Sequence, residues 1–220
     1  MINRELAEKI LKELAVSMYE YCIKDKKLND TEATRLAMRL YNHCIVVGNI
    51  AEKVAKEVGL DFEKAYIFGL LHDIGRFNPA RFHGIVGYEI AIENNSPELA
   101  KICISHVFAK NKKIRENEFP QNDSKIVDMK KTEELLSNIE YDDYDLLIRM
   151  CDFMSTGDTL FPSKIEDRLL DIKSRYGGND KDFLELQNEL NGIKNYFDKK
   201  LGCNLYELLE IKDCTKLQGR

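Results

Sequence analysis

Residues 70–77 read LLHDIGRF, that is Leu70-Leu71-His72-Asp73-Ile74-Gly75-Arg76-Phe77. An apolar run with core character passes directly into a histidine and an aspartate, then into a glycine turn and an arginine. An imidazole or carboxylate placed at the buried end of a helix costs free energy unless it finds a partner. Neighbouring helical residues diverge by about 100°, so His72 and Asp73 cannot chelate one ion side by side from a regular helix. They can straddle two ions, or the aspartate can bridge a pair with its two oxygens.

Outward from this stretch, helical periodicity dominates. Ile2, Leu6, Ile10, Leu14 and Met18 predict an amphipathic first helix. LNDTEATRL opens a second, with Asp30 as the expected cap. Its stripe of Leu36, Leu40, His43, Val47, Ile50, Val54 and Val58 runs to a stop at Gly59. Asp61 is placed to cap the helix that carries His72, which is expected to end near Gly75. A short helix over about 84–94 follows, and Ser96-Pro97 starts another that carries His106. Residues 109–130, polar and lysine-rich, read as a loop or flap. Helices are expected over about 144–154, holding Asp152, and near 163–175 and 180–200. Strand alternation is nearly absent.

His43, His72, His83 and His106 are the four histidines, each at or near a predicted helix and in or beside an apolar face. Singly, each is best read as a core histidine bonded to a carbonyl. Four buried imidazoles and a helix-end aspartate are jointly best satisfied by a cation.

The ordered set His43, His72-Asp73, His83, His106 and Asp152 (in LLIRMCDFMS) resembles the HD-domain superfamily of metal-dependent phosphohydrolases. FHGIVGYEIA with His83 and ICISH with His106 look like the two extra histidines of its dinuclear, YqeK-like subgroup. The resemblance implies an all-α fold: an HD-domain helical bundle with an N-terminal helix and a small C-terminal helical extension. It implies an HD phosphohydrolase domain over residues 1–178 with its core at about 40–155, and an extension over 179–220 packed on that domain. It further implies that His43, His72 and Asp152 hold one metal and that Asp73 bridges to a second, completed by His83 and His106. The donors are nitrogen and carboxylate without thiolate, which suits two divalent ions, Fe or Mn first and Zn, Ni or Co next. Asp73 and Arg76 are the expected catalytic residues, with Arg76 clamping a phosphate; the plain alternative for Arg76 is a solvated residue capping its helix. Two departures bear on the subgroup: Val107 follows His106 where YqeK-like enzymes carry threonine, and Phe153-Met154 follows Asp152 where they carry an acid-proline pair. The GYP motif of the cyclic-dinucleotide enzymes is missing as well.

The expected activity is hydrolysis of a phosphate ester or anhydride of a small metabolite, a nucleotide being favoured, through attack by metal-bound hydroxide. An HD-fold di-iron oxygenase and a non-catalytic metal-binding regulatory module are the alternatives. Net charge is −5 over 220 residues, with no long basic run, which argues against an extended nucleic-acid surface. The most apolar stretch, residues 65–71, is too short to span a bilayer, and MINRELAEKILKEL lacks the apolar run of a secretory signal. A cytoplasmic protein is expected, and a homodimer is compatible with the sequence. The six cysteines have no CxxC or zinc-finger spacing and read as small buried hydrophobes. Arg81, Lys110, Lys112 and Lys113 read as surface charge, Arg168 and Arg175 as members of structural ion pairs, and Tyr66, Phe68, Phe77 and Phe82 as core.

Overall fold

The computed structural model describes residues 2–77, 82–108, 129–177 and 179–211. All regular structure among the described residues is helical. α1 (Arg4–Lys24) begins at Asn3, whose side chain accepts from the Leu6 N–H. Its buried residues are Ala7, Leu11, Leu14, Met18 and Cys22. The expected stripe is therefore corrected: Leu14 and Met18 face the core, but Leu6 is 43% exposed and Ile2 and Ile10 are half-buried. A strict four-residue step overshoots a helical turn by about 40° each time, so the line through Ile2 and Leu6 winds round the helix. The observed set mixes steps of three and four and stays on one side.

α2 (Asp30–Val58) is capped by Asn29, whose side chain accepts from the Glu32 N–H at 3.0 Å. Asp30, the expected cap, is instead the first helical residue and accepts from the Tyr19 hydroxyl at 2.6 Å. The helix stops at Gly59, which is left-handed with φ 76°. α3 (Phe62–Leu71) begins at Asp61, which accepts from the Lys64 N–H. It ends short of Gly75, so His72 is its C-cap, and a 3₁₀ turn, Ile74–Phe77, follows. α4 (His83–Glu93) and α5 (Pro97–Ser105) pair with one another. The Ser96 side chain makes no cap bond, so Pro97 alone marks the start of α5.

α6 (Met129–Asn138) was not expected from the sequence. The remainder of the expected loop, with Lys110, Lys112 and Lys113, lies outside the described residues, as do Arg81, Cys214 and the Phe77 side chain. α7 (Asp143–Met154) opens with a reciprocal capping box between Asp142 and Asp145. α8 (Ile165–Tyr176), α9 (Asp180–Leu201) and the short α10 (Leu205–Leu208) are the last helices among the described residues.

One buried cluster joins Leu11 of α1, Val47 and Val54 of α2, Leu70 of α3, Leu147 of α7 and Phe197 of α9. Burial of each such side chain contributes about 1.5–3 kcal/mol. Tyr66, Phe68 and Phe82 are buried, as expected. So are Cys22, Cys44, Cys103 and Cys151, while Cys203 is exposed. No helix among the described residues is long and apolar enough to cross a membrane.

The α2–α3 contact positions His43 against His72, and it depends on two glycines. A Cβ added at Gly69 would fall 2.5 Å from the Gly48 Cα, a backbone atom that cannot swing aside. Gly69→Ala should therefore force the helices apart and cost about 1–3 kcal/mol, a fall of roughly 2–12 °C in Tm for a chain of this size. Gly192→Ala, in α9 with open space at its Cβ position, should raise Tm slightly. Thermal unfolding followed by circular dichroism checks both.

Candidate metal centre

Six side chains from five parts of the fold meet at one point. His43 projects from the middle of α2, His72 and Asp73 follow the last turn of α3, and His83 is the first residue of α4. His106 caps the C-terminus of α5, and Asp152 lies in the last turn of α7. All the sequence-predicted ligands are thus brought together. Groups of three among them place one donor atom each within 4.8 Å of one another: His43, His72 and Asp73; His72, His106 and Asp152; Asp73, His83 and His106.

The tautomers follow from the partners. Gly69 O lies 2.7 Å from His72 Nδ1, and Ile102 O lies 3.0 Å from His106 Nδ1. A carbonyl only accepts, so both Nδ1 atoms carry the proton and both Nε2 atoms present lone pairs to the centre. Arginine only donates, so the 3.2 Å contact from Arg76 Nη2 makes His83 Nε2 an acceptor too. Yet His83 Nε2 lies 3.1 Å from His106 Nε2, and His43 Nε2 lies 3.2 Å from His72 Nε2.

Asp73 sits between the two imidazole pairs. Its Oδ2 is 3.6 Å from Nε2 of both His43 and His72. Its Oδ1 is 3.2 Å from His83 Nε2 and 3.4 Å from His106 Nε2. Asp152 Oδ1 completes the first group, 3.0 Å from His43 Nε2 and 3.5 Å from His72 Nε2. Both Asp73 oxygens are buried with no hydrogen-bond partner. Arg76 Nε approaches Oδ2 to 2.5 Å, but without hydrogen-bonding alignment. Lone pairs and carboxylate oxygens crowded together repel one another, and a buried ionised carboxylate without bonds is costly. Cations between these donors would relieve both penalties, so the residues fit divalent metal ions.

The protonation preferences of the side chains agree with the shape of the cluster. Burial pushes the Asp73 carboxyl up, but the Arg76 guanidinium and His72 outweigh it and hold it well below the usual range. Burial likewise opposes ionisation of Asp152, and His43 and His72 overcome it. Burial drives His83 down to about 3 and lowers His106. For His72, burial acts downward, but Asp73 and Asp152 outweigh it and raise the group.

Several residues that the sequence reading did not single out hold the ligands in place. Arg149 Nη1 donates to the His106 carbonyl at 2.7 Å, and Glu189 of α9 accepts from Arg149 at 2.5 and 3.1 Å. The Ser155 hydroxyl donates to the His43 carbonyl at 3.3 Å. Ser105, beside His106, donates to the buried Asp145 at 2.6 Å, and Lys101 pairs with the same carboxylate at 2.8 Å. Arg149 lies three residues before Asp152, and that i, i+3 relation to a predicted ligand is the one sequence signal that could have singled it out. A cavity of about 660 Å³ opens over His43, Asp73, Arg76 and Asp152, within the range of small-molecule sites.

Comparison with known proteins fits this geometry. The HD domain family model matches residues 40–152, a span that starts just ahead of His43 and closes on Asp152. Ribonuclease Y of Mycoplasma capricolum subsp. capricolum is 38% identical over 74 residues, covering 32% of this chain and 14% of that protein. Ribonuclease Y of Mycoplasma mycoides subsp. mycoides SC aligns with the same identity and coverage. A Ribonuclease Y from Mycoplasma mycoides is 38% identical over 77 residues, 33% of this chain and 18% of the relative. The chain therefore matches less than a fifth of the length of these relatives. No solved structure matches the chain at comparable strength.

Metal removal should expose the titration of the cluster. His83 and His106 have folded pKa values below their unfolded ones, so the stability they contribute is full above about 6.5 and declines as pH falls toward the folded values. His72, raised, runs the other way: its contribution is full below about 6.5 and is lost as pH rises through its folded pKa. Below pH 6.5 the His72 contribution is already full and constant, so the losses at His83 and His106 are unopposed on acidification. The chelator-treated chain should lose urea resistance between pH 6.5 and 4. His83→Gln should flatten that slope by up to about 1.4 kcal/mol per pH unit, the limit for one proton. Urea midpoints at stepped pH measure it.

Proposed function

The chain belongs to the HD-domain family, and on that premise we propose that it is a metal-dependent phosphohydrolase with a dinuclear centre. His43, His72 and Asp152 would hold one divalent ion, and His83 and His106 the other, with Asp73 spanning both. The observation that carries this reading is Asp73: each of its buried, unbonded oxygens faces a different pair of imidazole nitrogens. Two divalent cations bound there would supply Lewis acidity toward water and phosphate oxygens; nitrogen and carboxylate donors favour Fe or Mn.

The residues have separable tasks. Nδ1–H bonds to Gly69 and Ile102 carbonyls fix the His72 and His106 rings. Arg76 lines the cavity beside Asp73, with its side chain about 40% exposed. From there its guanidinium can turn from the carboxylate to phosphate oxygens and stabilise charge that develops on them. The YqeK-like subgroup is supported by the two extra histidines and weakened by Val107 and Phe153. The substrate we favour is a phosphorylated small molecule, and a nucleotide suits the volume of the cavity. The Ribonuclease Y matches bring RNA as an alternative, against which stand the net charge of −5 and the absence of a long basic run. A di-iron oxygenase would use the same six ligands, but the cationic cavity favours an anionic substrate.

Metal analysis of protein purified without chelators should find up to two ions per chain, and anaerobic phosphate release should distinguish hydrolysis from oxygen chemistry. The screen should cover nucleotides and an oligoribonucleotide. His72→Ala and Asp73→Asn should reduce turnover more than a thousandfold with helical content kept; turnover surviving either change removes the site from consideration. Arg76→Ala should lower kcat by about a hundredfold, as loss of one transition-state donor does, with metal content retained. Loss of metal in that variant would reassign Arg76 to a structural role.

A further inference from the structure

The cavity has an internal order that narrows the substrate. Leu36, Arg39, Leu40 and His43 line it from a single face of α2. At 1.5 Å per residue, Arg39 stands about 6 Å and Leu36 about 10 Å along the axis from His43. Beyond Arg39 the walls are mostly apolar, Met18 and Cys22 of α1 with Leu28 and Leu36, and Lys26 is the one charged residue among them. Opposite stands α8, which contributes Arg168 and Ile172.

Arg39 and Arg168 are the two ends of a chain of charges. Arg39 pairs with Asp158 at 3.1 Å, and Asp158 with Arg175 at 3.5 Å. Arg175 pairs with Asp171 at 2.6 Å, and Asp171 with Arg168 at 2.5 Å. Three guanidinium groups share two carboxylates, so the chain holds one positive charge in excess. One donor is also left over: Arg168 Nε is buried and has no hydrogen-bond partner. An arginine of purely structural function would be expected to satisfy that group. The expectation that Arg168 and Arg175 form ion pairs is met, but the pairs do not neutralise the wall they build.

Resting on the phosphohydrolase reading, we propose that the site takes an organic diphosphate. Its terminal phosphoryl group would lie over the His/Asp centre beside Arg76, its second phosphoryl group between Arg39 and Arg168, and its apolar body between α1 and the start of α2. The second phosphoryl group supplies the negative charge that the arginine chain lacks. In the reaction, a water oxygen bonds to the terminal phosphorus and the anhydride P–O bond breaks. The electron pair stays on the bridging oxygen, which leaves as part of the organic monophosphate. The water protons end on orthophosphate or in solvent.

The test uses the full chain loaded with Mn(II) and two probes that cannot be turned over, orthophosphate and methylenediphosphonate, with binding followed by calorimetry. Methylenediphosphonate should bind at least tenfold more tightly than orthophosphate. Arg168→Gln should remove most of that preference, and Arg168→Lys should restore part of it, with helical content and Mn(II) stoichiometry matching the parent. The ratio of kcat/KM for ADP to that for AMP should fall about tenfold in Arg168→Gln, through KM. Equal affinity of the parent for both probes overturns the proposal, as does a preference that survives Arg168→Gln through chelation by the metals alone. Failure of orthophosphate to bind, together with no phosphate release from any substrate, would instead overturn the underlying phosphohydrolase reading.

Discussion

A buried carboxylate that no hydrogen bond satisfies is the constraint around which this protein is arranged. Asp73 is 1% exposed, and its two oxygens look toward opposite pairs of imidazoles. Such a group is tolerable only where opposite charge is fixed close by. The local backbone accounts for its orientation. α3 stops at Leu71, and directly after His72 and Asp73 the chain tightens into the 3₁₀ turn Ile74–Phe77. The tight course needs Gly75, where any Cβ would fall 2.0 Å from the His83 carbonyl oxygen. The same close approach brings His83 to the carboxylate.

The ligands come from helices far apart in sequence, and separate devices hold each one. The Gly48–Gly69 approach sets α2 against α3. Ser155, just past α7, bonds to the carbonyl of His43, and Arg39 reaches the Thr156 carbonyl at 3.3 Å. The end of α7 that carries Asp152 is thereby tied to the turn of α2 that carries His43. Arg149 fixes the backbone of His106 and is itself held by Glu189. Through that pair, α9 is mechanically part of the centre although it contributes no ligand. Preorganisation of this kind limits how far donors can drift when no ion is present.

What could be read from the sequence was the chemistry, and what could not was the packing. Histidine and aspartate in a fixed order carry a ligand pattern that needs no coordinates; α2 followed from its apolar steps and the Gly59 stop, and α3 from its Asp61 cap. The α1 stripe was displaced because two lines of apolar residues cross at Leu14 and Met18, and only the neighbouring helices decide between them. α6 escaped because MKKTEELLSN borders a long polar stretch and has few apolar residues of its own. Arg39 and Arg149 escaped for another reason. A lone arginine in an amphipathic helix looks like surface charge until its tertiary partners, 117 and 43 residues away, are known.

The two arginine groups divide the work of the cavity. Arg76 faces a carboxylate that a metal ion would engage, so on the proposed function its guanidinium would be released toward substrate when the centre is filled. Arg39 and Arg168 are held by Asp158 and Asp171, which lie outside the ligand set, so their excess charge is present whether or not the centre is filled. The cavity can therefore attract an anion through its wall and act on it through its floor. A mostly apolar wall beyond the arginines, with Lys26 in it, adds a third requirement, because a bare inorganic polyphosphate would leave Met18, Leu28 and Leu36 facing water. Burial of an organic group against them is worth about 25 cal/mol per Å², enough to separate substrates that present the same phosphates. On the proposed function, phosphate chemistry would set the reaction class at one end of the cavity, and hydrophobic burial at the other end would select among its substrates.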